Sequence, residues 1–270
     1  LHSPKTLGIV DDIKDKLRDK RQEIEAERMV LPVGKYGDTT YYLKESFASN
    51  KYMLNLYKKV ANGPGVKIDL PGEEDLYNRN VVDNNLYYAS VVDGKSELYR
   101  YNLLGGQKEK ICSLGQWSPN DGWLGQVKYL DEQLYVVLHS GDLTMGYDTL
   151  YKVEDGGLKE VAGGKNLMYW ESQKNDFYYV DFRFMADPTN NLYKVDLTTG
   201  EKENLGEPEF TYGIFRKVEE AGAIGYSSGG AIKLVDDFIY TLGYKDNDLE
   251  DKPAVYKVST SGPSHRKLTP

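Results

Sequence analysis

Five times along the chain one pattern of short segments recurs. An apolar strand leads through a tight polar turn to a strand bearing an aromatic or aliphatic pair. After a variable gap comes Leu-Tyr or Val-Tyr followed by a basic residue, and then a Gly-bearing turn into a short charged strand. The second strands begin at "TTYYL" (39–43), "NLYYA" (85–89), "QLYVV" (133–137), "DFYYV" (176–180) and "DFIYT" (237–241). The third strands carry Tyr57, Tyr99, Tyr151, Tyr193 and Tyr256, spaced 42, 52, 42 and 63 residues apart. Four short strands at a period of about 40–50 residues are the signature of propeller blades, which stack because no blade buries both of its faces alone. The chain is therefore expected to be all-β: a β-propeller of five four-stranded blades. The long last step, holding "FTYGIFRKVEEAGAIGYSSGG" (210–230), is either an insertion or a degenerate sixth blade.

Composition agrees with this. Tyr is abundant, 23 of the 270 residues, and suits half-buried pleated surfaces. Net charge is −8 and no long basic run is present, so nucleic acid is set aside as a partner. A run of about 18 apolar residues, enough to span a bilayer, is absent. The lone Cys112, in the alternating "KEKICSLG", reads as a small buried hydrophobe.

Before the repeats, residues 9–29 have the period of a helix, with Ile9, Ile13, Leu17 and Ile24 on a thin stripe and Asp11, Asp12 and Asp15 early, where they suit the helix dipole. The expected organisation is an N-terminal α-helix or linker over 1–29 and a propeller over 30–270. The helix either packs on the propeller or forms a stalk. The chain opens "LHSPKTLG" without Met, which suggests a targeting signal or membrane anchor removed upstream.

Propeller loops alternate between two ends. Turns between first and second strands ("YGDTT", "VVDNN", "YLDEQ", "SQKND", "LVDD") and between third and fourth ("NGPG", "LLGG", "EDGG", "LTTG", "TSGP") are short and rich in Gly, Asp and Asn, so that end is structural. The other end carries 44–53, 91–96, 139–148, 181–190 and 243–252 between second and third strands, with 113–125 and 206–213 between blades. Function usually sits on loops held by a rigid scaffold. The aromatic and Arg content of that end, Trp117, Trp123, Arg183, Phe184, Tyr212 and Tyr244, is of the types enriched at binding hot spots, and the same residues can equally plug gaps between blades.

Catalytic patterns are thin. "GYSSG" (225–229) fits G-x-S-x-G, with His265 downstream, but a β-like run follows Ser227 where a hydrolase needs a strand-to-helix elbow. A glycosidase needs paired carboxylates near the axis. The expected inner strands offer Arg79, Lys128, Glu171 and Lys233, so Glu171 would need Asp121 as its partner. In "DNDLED", Asp246, Asp248 and Glu250 alternate as at the start of an EF-hand. Asp251 stands where Gly is required and Lys257 where Glu is, which leaves at most a looser Ca²⁺ site. His2, His139 and His265 are scattered, so no zinc site is expected. With neither a P-loop nor a dinucleotide fingerprint, no cofactor is expected.

"NNLYKVDLTTGEKENLG" and "LYRYNLLGGQKEKI" resemble the repeats of bacterial TolB-like propellers and of bacterial relatives of the low-density-lipoprotein-receptor YWTD propeller. The YWTD tetrapeptide itself is absent, "MYWES" (168–172) being the nearest phrase. The resemblance implies an extracytoplasmic or cell-surface domain. The function expected from all this is a non-catalytic propeller that binds or scaffolds a protein or cell-envelope ligand through its long-loop end. A carbohydrate-active enzyme and a lectin-like glycan-binding propeller are the alternatives.

Overall fold

The computed structural model describes residues 14, 16–18, 30–48, 51–70, 73–118, 123–142, 146–161, 164–183, 188–218, 224–227 and 230–269. Lys14 and Lys16–Arg18 are helical; the rest of the expected N-terminal helix lies outside the described residues.

Among the described residues from Val30 onward, the regular structure is antiparallel β. The first sheet orders β1 (Val30–Tyr36), β2 (Thr39–Ala48), β3 (Lys51–Val60) and β4 (Gly65–Lys67) in sequence order. The second does the same with β5 (Glu73–Val82), β6 (Asn85–Val92), β7 (Lys95–Asn102) and β8 (Lys108–Gln116). Next come β9 (Trp123–Leu130), β10 (Gln133–Ser140), β11 (Tyr147–Glu154) and β12 (Gly157–Glu160), then β13 (Leu167–Gln173), β14 (Asp176–Asp181), β15 (Leu192–Asp196) and β16 (Lys202–Asn204). One bridge, Asp148 to Leu167, joins these two sets into a single eight-stranded sheet.

The last repeat differs. Both β17 (Phe210–Tyr212) and β20 (Ile232–Val235) pair with β21 (Phe238–Lys245), β17 near its end and β20 near its start. β22 (Ala254–Ser259) and β23 (His265–Lys267) follow in order. β18 (Phe215–Val218) and β19 (Ile224–Ser227) form a separate two-stranded ladder. Among the described residues, 210–230 thus supply one edge strand and a hairpin, and they do not build a four-stranded unit.

The sequence dictates the turns. Gly37, Asp83, Asp131, Asp155, Lys174 and Asp236 open the first-to-second or third-to-fourth hairpins with φ between 44° and 59°. That left-handed geometry matches the twist of flanking strands and explains the Gly and Asp in these turns. The longer turns reach back to the short ones. The N–H of Ala61 donates to Asp38 O (2.7 Å), Leu103 to Asn84 O (2.8 Å), Leu197 to Asn175 O (2.7 Å) and Thr260 to Asp237 O (3.1 Å). In the third repeat the Asp155–Gly156 turn is too short to reach. There the Gln133 side chain donates instead to Val153 O at 2.6 Å.

Two of the expected long loops are corrected. Residues 44–48 and 51–53 continue the β2–β3 ladder, as far as the Ala48–Lys51 pair. In 91–96 only Asp93 and Gly94 turn, both with positive φ. Alternating polar side chains at a strand end look like loop in sequence, yet they leave the backbone ladder intact.

The chain forms two compact units, Leu1–Asp93 with Glu97–Ile111, and Gly94–Ser96 with Cys112–Pro270. In the first, Tyr41, Leu43, Leu56, Leu76, Leu86 and Tyr88 are buried in one core. In the second, one core lies around Tyr135, Phe177, Tyr179 and Val195, and another around Val180, Leu192, Tyr212, Ile239 and Val258. Cys112 is buried, as expected.

Candidate binding cleft

The recurring tyrosine of the third strands has a regular partner. Tyr42 stacks on Tyr57 (centroids 5.6 Å apart), Tyr88 on Tyr99 (5.8 Å) and Tyr179 on Tyr193 (5.7 Å). The partners stand directly opposite in the ladders of the first and fourth sets. Opposite Tyr151 stands Val136, and opposite Tyr256 stands Thr241. Tyr256 recovers aromatic neighbours in Phe210, Tyr212 and His265. Tyr151 instead borders a cleft of about 340 Å³, lined by Ser140, Tyr147, Thr149, Tyr151, Glu160, Lys165, Asn166 and Arg183.

Strand geometry brings these side chains together. Tyr147, Thr149 and Tyr151 alternate along β11 and share a face. Ser140 lies opposite Tyr147, and Glu160 opposite Tyr151. The link from β12 to β13 is laced to β11: Leu150 N–H donates to Gly164 O (2.8 Å) and Val161 N–H to Leu150 O (2.9 Å). A Cβ at Gly164 would meet the Leu150 Cβ at 2.9 Å, so only glycine permits that approach. The link ends at Asn166, whose carbonyl accepts from Phe182 N–H at 3.0 Å and so fixes the start of the segment bearing Arg183.

Charges surround the cleft. Lys165 pairs with Glu160 at 3.1 Å. Asp181 lies 3.9 Å from Arg183 and 3.6 Å from Lys202, whose ammonium sits 3.8 Å above the Tyr193 ring. Burial pushes the Asp181 carboxyl up and the Lys202 ammonium down, and their mutual attraction opposes both shifts. Burial, with Glu160 adding to it, also raises the Tyr151 phenol. Arg183 keeps 65% of its side chain exposed and Tyr147 46% of its surface.

On the other face of the same strands runs a row that sequence reasoning missed. Trp123 lies opposite His139, and His139 opposite Asp148. The Trp123 and His139 rings are 5.7 Å apart. His139 Nδ1 is 2.9 Å from Asp148 Oδ1, and Nε2 is 3.2 Å from Asp142 O. Burial raises the Asp148 carboxyl, against the pull of His139. The sequence signal was cross-strand register, which a count of scattered histidines does not see.

The remaining candidates separate. Trp117 is 43% exposed, with its N–H donating to Gly94 O at 3.0 Å. Tyr212 and Tyr244 are fully buried, so their rings are core and offer no surface. Loop-like composition hid the pairing of β17 with β21 that encloses them. Phe184 and Asp121 lie outside the described residues. Glu171 is ion-paired with Lys233 at 3.1 Å, and burial lowers the Lys128 ammonium with Asp176 opposing. Asp246 accepts from the hydroxyls of Thr189 (2.5 Å) and Thr211. The carbonyls of its loop turn to Arg216, which donates to those of Lys245 (3.1 Å), Asp246 (3.4 Å), Asp248 (2.9 Å) and Asp251 (2.5 Å). Asp248 Oδ1 accepts Glu250 N–H at 3.0 Å. Among the described residues, no group of three or more His, Cys, Asp or Glu is placed to hold a metal ion. Ser227 ends strand β19, and His265 is engaged by Tyr212.

No family model matches the sequence, and no curated protein matches it. Solved structures similar to it include an oligogalacturonate lyase in complex with manganese, at 10% identity, covering 86% of this chain and 74% of the other, TM-score 0.43. TolB from Acinetobacter baumannii is similar at 11% identity, over 85% of this chain and 53% of that one, TM-score 0.36. The β-propeller domain of the Trilobed protease from Pyrococcus furiosus is similar at 11% identity, over 89% and 98%, TM-score 0.29. The chain spans about half the length of the TolB chain. These neighbours are β-propeller proteins, TolB among them; a YWTD relationship is not supported. Among the described residues, no helix is long and apolar enough to cross a membrane.

Proposed function

We propose that the five sets of strands are blades of a five-bladed propeller, and that the chain is a non-catalytic module binding a protein or envelope ligand at the cleft beside Tyr151. One observation carries this. Where the repeat drops its stacked tyrosine, the freed space is lined by hydrogen-bonding groups, with an exposed aromatic ring at Tyr147 and an exposed guanidinium at Arg183. Concave, largely pre-formed sites with a few convergent polar groups are the usual form of a ligand site. An extracytoplasmic location accords with the resemblance of the repeats to TolB-like sequences.

Hydroxyl and amide groups at Ser140, Thr149, Tyr151 and Asn166 favour a second occupant, a glycan lying against Tyr147. A crosslinking pull-down from an envelope extract of the native host separates the two. A dominant protein partner, lost on Tyr147→Ala or Arg183→Gln while thermal stability holds, supports the protein ligand. Retention on cell-wall polysaccharide alone supports the glycan. Capture unchanged by either substitution removes the cleft as the site.

A further inference from the structure

We propose, resting on that assignment of the cleft, that its occupant is a carboxylate carried by an extended peptide of the protein ligand, held by Arg183 against the Tyr147 ring. Charge makes the first part of the case. Of the cleft's lining residues, Lys165, Arg183 and Glu160 carry charge, and beyond the lining Arg183 shares Asp181 with Lys202. The lining thus has two cations to one carboxylate, and the network with Asp181 and Lys202 three to two, in a chain whose net charge is −8. Glu160 is taken up by Lys165, and Asp181 is shared between Lys202 and Arg183. The uncompensated cation is therefore a local property of this site.

Geometry identifies which cation it is. Lys202 is half-buried above the Tyr193 ring. Lys165 has its partner at 3.1 Å. Arg183 reaches Asp181 only at 3.9 Å from Nε, beyond hydrogen-bond length, and its side chain is the most exposed of the three cations. Guanidinium presents a planar fork that matches a carboxylate in two parallel hydrogen bonds, which a lysine ammonium does not. Size supports a peptide. A cleft of about 340 Å³ lies at the small end of ligand pockets and takes one side chain with its flanking peptide groups, not a run of sugar rings. Tyr and Arg at its mouth are the residue types on which protein interfaces concentrate their energy.

The test is an NMR titration of the whole chain, followed at the Arg183 Nε–H and the Tyr147 ring. The probes are acetyl-Gly-Asp-Gly-amide, acetyl-Gly-Asn-Gly-amide, acetyl-Gly-Gly with a free carboxylate, and methyl glucuronide. The Asp peptide is expected to bind in the millimolar range, about tenfold more tightly than the Asn peptide, and Arg183→Gln to remove that difference. Tighter binding of the free-carboxylate peptide, again dependent on Arg183, assigns the site to a chain terminus and supports the proposal. Equal binding of the Asp and Asn peptides, indifference to Arg183→Gln, or no shift with any probe overturns it. Glucuronide binding more tightly than both carboxylate peptides overturns the peptide. The pull-down keeps the two conclusions apart. A partner lost with Tyr147→Ala but retained by Arg183→Gln leaves the cleft as a binding site and removes the carboxylate. No captured ligand of either kind, together with no shift for any probe, removes both.

Discussion

The Tyr212 hydroxyl lies 2.7 Å from His265 Nδ1 and accepts the Glu207 N–H at 3.0 Å, so it has its own proton to give to the histidine. With the hydroxyl donating, Nδ1 accepts and the imidazole is neutral. Phe210, Tyr212 and Tyr256 surround the ring, and this burial lowers its pKa below the ordinary 6.5, with Glu207 acting weakly the other way. A histidine whose folded pKa is depressed binds fewer protons folded than unfolded. Its stabilising effect is therefore complete above about pH 6.5 and is lost as pH falls toward the depressed value. The melting temperature of the wild type should fall from pH 7 to pH 5 more steeply than that of His265→Gln, which keeps an acceptor and cannot charge. Parallel curves for the two proteins would refute this.

Arg216 is expected to organise the acidic loop that looked, in sequence, like a cation site. It donates to four main-chain carbonyls and lies 4.5 Å over the Tyr244 ring. Arg216→Ala leaves those carbonyls to water, so the global cost should be modest, roughly 1–2 kcal/mol. Its clearer effect should be local. Hydrogen exchange across 245–251 should accelerate, while β10 and β14 keep their protection. Arg216→Lys should rescue only part of the protection, because it lacks the fork.

How far these features were legible follows from their range in sequence. The strands and turns rest on local period and on turn residues, so β2, β6, β10, β14 and β21 fall where the Tyr-bearing segments were recognised. Tyr212 and Tyr244 were misplaced because exposure there depends on the ladder between β17 and β21, whose partners lie more than 30 residues apart. The row Trp123–His139–Asp148 and the Val136–Tyr151 pair are registers, and register sets which residues meet. Arg183 was legible as a type, but the cleft it borders takes Tyr147 from β11 and Asn166 from the β12–β13 link, which only the fold brings together.

Gly164 should be the least replaceable residue of the cleft wall. Its added Cβ meets side-chain and main-chain atoms, at 2.9 Å from Leu150 Cβ and 3.3 Å from Val161 O. Relief would shift the link that presents Lys165 and Asn166. Gly164→Ala should lower stability by about 1–3 kcal/mol, read from urea midpoints at unchanged slope. Gly225→Ala, where nothing lies within 4 Å, is the control and should cost far less.

Asn191 behaves as a piece of strand made from a side chain. Its amide donates to Tyr212 O at 2.9 Å, and its Oδ1 accepts Tyr212 N–H at 2.8 Å, with 3% of the residue exposed. This pair of hydrogen bonds ties the start of β15 to the end of β17, across the core that holds Leu192, Tyr212 and Val258. Asn191→Ala would strand both polar groups of a fully buried residue. Each unsatisfied group costs about 1–3 kcal/mol, so the loss should approach that of a large core truncation. Asn191→Asp preserves shape and one acceptor but cannot donate to the carbonyl, and it faces desolvation of its charge. It should be as damaging as alanine at neutral pH and recover on acidification, where the protonated carboxyl regains a donor. Denaturant melts of both variants at pH 7 and pH 4.5, read relative to wild type at each pH, decide the matter. If Asn191→Asp matches wild type at pH 7, the paired geometry at Tyr212 is not what holds these strands together.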